Sequence, residues 1–62
     1  MSKIKLIKNG ATVMFQRNDV NGFYTVTLYS PNFNIVDRVS CDTYRAACEY
    51  RRAFIQLAKN AF

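Results

Sequence analysis

The fold of this 62-residue chain is decided where a strand pattern gives way to a helix pattern, in residues 23–60, which read FYTVTLYSPNFNIVDRVSCDTYRAACEYRRAFIQLAKN. Residues 23–29 all have high strand preference. Pro31 ends that strand because proline has no amide donor for a ladder, and a further strand is predicted over about 33–39. From residue 42 onward there is no glycine or proline, and apolar residues recur every three to four positions. This spacing predicts a helix over about 42–60.

The predicted helix is amphipathic and has a capping residue at its start. Asp42 is the expected N-cap, since its carboxylate accepts orphan backbone amides and meets the positive end of the helix dipole. Ser40, two residues earlier in the chain, is the alternative N-cap. An alanine-rich apolar side of the helix is expected to pack on a sheet. The opposite side carries polar residues: Arg45, Glu49, Arg52, Gln56 and Lys59.

The N-terminal half contains a strong hairpin signal at Asn9-Gly10. Both central residues of a type I′ turn need positive φ, and Asn-Gly meets that need. The flanking segments, about 3–8 and 11–17, are therefore predicted to pair antiparallel. Residues 18–22, which end in Gly22, form the next connection and lead into the strand at 23–29. Such short connections favour a meander of neighbouring strands.

Together these elements predict a single α+β domain over residues 1–62, of ββββα order. An antiparallel meander of three to four strands is followed by one C-terminal helix packed on one sheet face. Side chains alternate between the two faces of a strand. The set expected to face the helix is Ile4, Leu6, Val13, Phe15, Tyr24, Val26, Leu28, Phe33 and Ile35. The set expected on the open face is Lys3, Lys5, Thr12, Met14, Gln16, Phe23, Thr25, Thr27, Tyr29, Asn34, Val36 and Arg38.

Composition argues against an enzyme. The chain has no histidine, so a catalytic triad and the usual zinc sites are not expected, and neither a metal nor a cofactor is predicted. Cys41 and Cys48 fit neither a redox nor a zinc spacing. They are expected to be small buried thiols in a reducing cytoplasm, although a disulfide stays open. No apolar run is long enough for a membrane span.

Nine Lys and Arg residues against four Asp and Glu give a net charge of +5, which points to an anionic partner. The open sheet face is the first candidate surface, because it combines cations, hydroxyl groups and aromatic rings. Strand preference and the need for soluble edges explain the same residues equally well. On the helix, Arg51 is predicted to point into the apolar side. The candidate binding residues are Lys3, Lys5, Arg17, Thr25, Thr27, Tyr29, Arg38, Arg45, Arg51 and Arg52.

From Gly22 onward the sequence resembles the DNA-binding domains made of a three-stranded sheet and a helix. These include the plant ethylene-response type and the arm-binding domains of phage-type tyrosine integrases. Asp42, Ala46-Ala47 and Tyr50 stand at the spacing of the capping residue, alanine pair and tyrosine in those helices. The resemblance implies that the sheet enters the major groove of DNA. The residues that it implies as readers, the side chains that contact DNA, are Arg17, Thr25, Thr27, Tyr29 and Arg38.

Two functions therefore stay open at this point. The first is a nucleic-acid-binding module, with DNA as the first expectation, that uses the open sheet face with help from helix arginines. The second is a module that binds an acidic protein partner. In size and architecture the chain is similar to small phage-encoded inhibitors of host enzymes and defence systems, anti-CRISPR proteins among them. A homodimer is compatible with either function.

Overall fold

Four antiparallel strands and one helix follow one another in the computed structural model, which describes residues 2–7 and 9–61. The strands form one sheet in the order β1-β2-β3-β4. This confirms the predicted ββββα architecture, with each boundary within two residues of its expected place. Lys8, predicted as the end of the first strand, lies outside the described residues. The elements are β1 (Ser2–Leu6), β2 (Thr12–Arg17), β3 (Tyr24–Tyr29), β4 (Ile35–Cys41) and α1 (Tyr44–Ala61).

The first hairpin has a longer loop than predicted. The Gly10 amide donates to the Ile7 carbonyl at 2.9 Å, and the Ile7 amide donates to the Ala11 carbonyl at 2.9 Å. Gly10 has a φ of +96°, whereas Asn9 is not in the left-handed region. A two-residue type I′ turn needs positive φ at both positions, so that prediction is wrong. The loop has three residues between Ile7 and Ala11, with Gly10 in the left-handed position of a G1 bulge.

The longer loop turns β1 over relative to the prediction. Lys5 is opposite Val13 in the register and Leu6 is opposite Thr12. Because side chains alternate, a shift of one residue moves every β1 side chain to the other face of the sheet. Lys5 therefore belongs to the helix side, and Ile4 and Leu6 belong to the open face. The predicted sides of these three residues are wrong.

A second irregularity lies in the pairing of β3 with β4. Leu28 is opposite Asp37, but Tyr29 is opposite Ile35, so the register shifts between Leu28 and Tyr29. The extra residue, Val36, bends the strand as a β-bulge does. Ile35 consequently shares the open face with Tyr29, and its predicted place on the helix side is wrong.

The core lies between the helix and the three strands beneath it. Ala47, Phe54 and Ala58 are the buried helix residues, and their spacing places them on one side of α1. α1 contacts β2, β3 and β4, whereas among the described residues no Cα atom of β1 lies within 8 Å of one in α1. The helix therefore does not cover β1. The core residues are Ile7, Ala11, Val13, Phe15, Val26, Leu28, Cys41, Ala47, Phe54 and Ala58.

The helix begins after a different cap from the one predicted. The Ala46 amide donates to the Thr43 hydroxyl at 3.2 Å, and the Ala47 amide donates to the Thr43 carbonyl at 3.2 Å. Thr43 is therefore the N-cap, and neither Asp42 nor Ser40 has that role. The other end of the helix is tied to the first hairpin, because the Asn9 side-chain amide donates to the Ala58 carbonyl at 2.8 Å.

Candidate functional site

Two arginines and several polar side chains line one cleft at the end of the sheet where β2 ends and β3 begins. The register places Gln16 opposite Thr25, and Arg38 opposite Thr27 on the next strand. Because Thr25 and Thr27 lie on the same face, this brings Arg38 beside the Gln16–Thr25 pair. We call this site the arginine cleft; its volume is about 220 Å³, and none of its lining residues has a carboxylate. It is lined by Gln16, Arg17, Asn18, Thr25 and Arg38.

Local hydrogen bonds hold the backbone on both sides of the arginine cleft. The Asn18 amide donates to the Phe23 carbonyl at 2.8 Å, and the Asn18 side-chain oxygen accepts from the Val20 amide at 2.8 Å. On β4, the Asp37 side chain accepts from the backbone amide of Arg38 at 2.8 Å. These bonds satisfy donors that would otherwise need water, and they fix the positions from which Arg17 and Arg38 extend.

Several exposed apolar side chains lie outside the arginine cleft, on β1 and on residues 33–36. Tyr29 is half-buried, and its ring meets that of Phe33 in an edge contact with 6.0 Å between centroids. Exposed large apolar side chains are typical of an interaction site. We call these residues together the apolar half; its exposed members are Leu6 (72%), Phe33 (72%), Ile4 (59%), Ile35 (59%) and Val36 (47%).

The candidate residues predicted from sequence do not form one surface. Arg17, Thr25 and Arg38 come together in the arginine cleft. Thr27 is on the same face but only 3% exposed, so its hydroxyl does not reach a ligand in this conformation. Tyr29 belongs to the apolar half. Lys3 is opposite Phe15 in the register, and its side chain lies outside the described residues.

The remaining predicted cations are distributed over the helix and its flank. Lys5 lines a cavity of about 360 Å³ with Lys59, between β1 and the end of α1. Arg45 and Arg52 are exposed on the helix. Arg51 is half-buried, which agrees with its predicted direction toward the apolar side of α1.

Arg51 belongs to a small aromatic site on the helix side of the sheet. It lines a cavity of about 90 Å³ with Phe15, Tyr44 and Cys48. The rings of Phe15, Tyr24 and Tyr44 meet one another, with centroids 5.6 to 5.8 Å apart. Hydrogen bonding and charge repulsion from Cys48 raise the pKa of the Tyr44 hydroxyl above its ordinary value, against a smaller opposing effect of Arg51.

Sequence reasoning missed Asn18 as a residue that lines the cleft, and it missed the contact between Tyr24 and Tyr44. Asn18 follows Arg17 along the chain, so the signal was its position beside a candidate arginine at the end of a strand. For Tyr24 and Tyr44 no local signal existed, because helix packing brings together residues that are far apart in sequence.

The described part of the chain offers no arrangement for metal binding. Nowhere in residues 2–7 and 9–61 do three His, Cys, Asp or Glu side chains gather around a common point. Cys41 and Cys48 are both free thiols, one buried and the other half-buried. Within the same residues, no helix has both the length and the apolar character needed to cross a membrane.

Comparison with protein families, with curated proteins and with solved structures finds no match to this chain. The features of the described residues that bear on function are therefore the arginine cleft, the apolar half and the groups around them.

Proposed function

We propose that this protein is a small non-enzymatic module that binds nucleic acid through the arginine cleft, with DNA as the first candidate. The observation that carries the proposal is the convergence of Arg17 and Arg38 with uncharged polar groups in one cleft that no carboxylate lines. Arg17 ends β2 and Arg38 is on β4, with β3 between the two strands, yet both side chains line the same cleft. Two positive charges with no neutralising group among the lining residues favour an anionic ligand.

The chemistry of the cleft suits a phosphate backbone. An arginine guanidinium binds phosphate oxygens through two parallel hydrogen bonds and is always charged. Arg17 and Arg38 would neutralise phosphates, while the Gln16 amide and the Thr25 hydroxyl donate to sugar or base atoms beside them. The net charge of +5 would speed the encounter with any polyanion, without itself selecting the site.

The resemblance to DNA-binding domains with a three-stranded sheet supports the same choice of surface only in part. Of the readers that the resemblance implies, Arg17, Thr25 and Arg38 line the cleft. Thr27 is buried and Tyr29 lies among apolar residues. We therefore place the ligand at the end of the sheet and not across its full width.

Charge-matched variants test this proposal. The cleft variant carries Arg17→Gln and Arg38→Gln. The control, or helix variant, carries Arg45→Gln and Arg52→Gln on the exposed helix surface. Both variants remove two positive charges from the net +5. Binding of a labelled oligonucleotide is measured by fluorescence anisotropy between about 50 and 200 mM salt.

We expect the cleft variant to lose at least about ten-fold in affinity, since hydrogen bonds to charged groups contribute about 1.5–3 kcal/mol each. Its slope of log affinity against log salt should also fall by about 0.7–0.9 for each phosphate contact that is lost. The helix variant should lose less than about three-fold, because exposed charges act through screened long-range attraction. Equal losses in the two variants would contradict the proposal.

The apolar half favours a second candidate function, which is protein binding. Its exposed Leu6, Phe33 and Ile35 would contribute apolar burial, and the neighbouring arginines suit an acidic partner. An inhibitor of a host enzyme, as the similarity in size and architecture suggests, would use such a surface. A homodimer could use it too. This candidate predicts that Leu6→Ser with Ile35→Ser abolishes a protein complex or a dimer, measured by sedimentation, that the cleft variant only weakens.

A further inference from the structure

A row of cationic and aromatic side chains continues from the arginine cleft around the end of the sheet. Arg17 belongs to the cleft, and its guanidinium carbon lies 5.9 Å from the ring centroid of Tyr24. The Tyr24 ring is 5.6 Å from the Tyr44 ring, between centroids. Tyr44 in turn lines the small helix-side cavity with Arg51. We call Arg17, Tyr24, Tyr44 and Arg51 the cation–aromatic row.

The central ring of this row is open to a ligand. Tyr44 is 54% exposed, although Tyr24 and Phe15 support it through edge contacts at interplanar angles of 74° and 68°. Packing alone accounts for Phe15, which is 6% exposed, but it does not require an exposed ring between two arginines.

We infer that the nucleic acid bound by this protein is single-stranded, with bases stacking on Tyr44 and phosphates held by Arg17 and Arg51. This inference rests on the proposed function and names its substrate class. An aromatic ring accepts the face of a base only where the base is free of its duplex neighbours. Aromatic rings flanked by guanidinium groups suit single-strand binding, because the rings stack on bases while the guanidinium groups bind the backbone.

The test compares single-stranded and duplex ligands at the same salt concentration. The probes are oligothymidylate and oligouridylate of about 12 nucleotides, a length within the site sizes of small single-strand-binding domains, and a DNA duplex of equal length. The two single strands distinguish DNA from RNA as the source of the same chemistry. We expect at least one of them to bind about ten-fold more tightly than the duplex, as stacking of a single base allows.

Matched variants locate the effect on the cation–aromatic row. Tyr44→Leu keeps apolar packing on Phe15 but removes the ring, and Tyr50→Leu removes another exposed tyrosine of the same helix that the row does not include. Arg51→Gln is compared with Arg52→Gln in the same way. Tyr44→Leu and Arg51→Gln should each weaken single-strand binding by about five- to ten-fold, and each of the two controls should weaken it by less than about three-fold.

A second readout reports stacking directly. The chain has four tyrosines and no tryptophan, so its intrinsic emission comes from tyrosine. Single-stranded ligand should quench this emission in the wild-type protein and in Tyr50→Leu, and should quench it less in Tyr44→Leu. Circular dichroism verifies the fold of each variant, and Arg51→Gln supplies the comparison if Tyr44→Leu does not fold.

Equal affinity for single strand and duplex, with Tyr44→Leu and Arg51→Gln like their controls, would overturn the inference. If the Arg17 and Arg38 variant still lost binding in that case, the proposed function would stand with a duplex ligand. Failure of the wild-type protein to bind either form at low salt would instead overturn the proposed function itself.

Discussion

At the scale of single residues, Phe33 is the most unusual position among those that the structure describes. It is the one non-glycine residue in that part of the chain with positive φ, at +65°. Its amide donates to the Ser30 carbonyl at 2.8 Å, and the Ser30 amide donates to the Asn34 carbonyl at 2.9 Å. Glycine would adopt this conformation without strain, yet the position carries an exposed aromatic ring. Strain retained in this way is typical of a functional residue, which here would belong to the apolar half.

The strain at Phe33 can be measured with two variants that both remove the ring. Phe33→Gly relieves the left-handed backbone, whereas Phe33→Ala retains a Cβ atom and its clash with the following carbonyl. We expect Phe33→Gly to have a free energy of unfolding about 1 kcal/mol higher than that of Phe33→Ala in urea denaturation. An alanine variant as stable as the glycine variant would show that the backbone there is not strained.

At the scale of the elements, the start of the helix depends on Thr43. Its hydroxyl and its carbonyl accept the amides of Ala46 and Ala47, respectively. Asp42 precedes the cap and acts on the helix through charge alone.

Separate alanine variants distinguish these two roles. Thr43→Ala should lower the free energy of unfolding by about 1 kcal/mol, because it leaves a helix amide without its acceptor. Asp42→Ala should lower it by only about 0.3 kcal/mol, the effect of an exposed charge near a helix terminus. Thermal denaturation followed by circular dichroism measures both changes. If Asp42→Ala lowered the free energy of unfolding more than Thr43→Ala did, Asp42 would be the N-cap instead of Thr43.

The element pattern shows which parts of the fold were accessible from sequence. Turn residues and periodicity predicted four strands, one helix and their order, because those signals are local. The side of β1 was not predictable, since Asn9-Gly10 fits both a two-residue and a three-residue loop. Ile35 was misplaced for a related reason, because a bulge leaves no composition signal. In both cases one inserted residue reverses the alternation.

At the scale of the whole molecule, the positive charge is divided among several surfaces. Arg17 and Arg38 lie in the arginine cleft, while Lys5 and Lys59 lie at the opposite end of the helix flank. A sequence can supply the net charge of +5 but not this division, because burial and register determine where each cation lies. The reversed β1 brings Ile4 and Leu6 to the open face in place of Lys5, and the bulge in β4 brings Ile35 there. Arg17, Arg38 and Thr25 could therefore be predicted as members of the candidate site, whereas the size of the surface that they belong to could not.

The central claim is that nucleic acid binds at the arginine cleft, and an NMR titration with an oligonucleotide tests it most directly. We expect the largest amide chemical-shift changes at the cleft residues Gln16, Arg17, Asn18, Thr25 and Arg38. Amides of Leu6, Ile35 and Val36 in the apolar half should change little. Shift changes confined to the apolar half or to the exposed helix surface, or none at all at low salt, would contradict the claim.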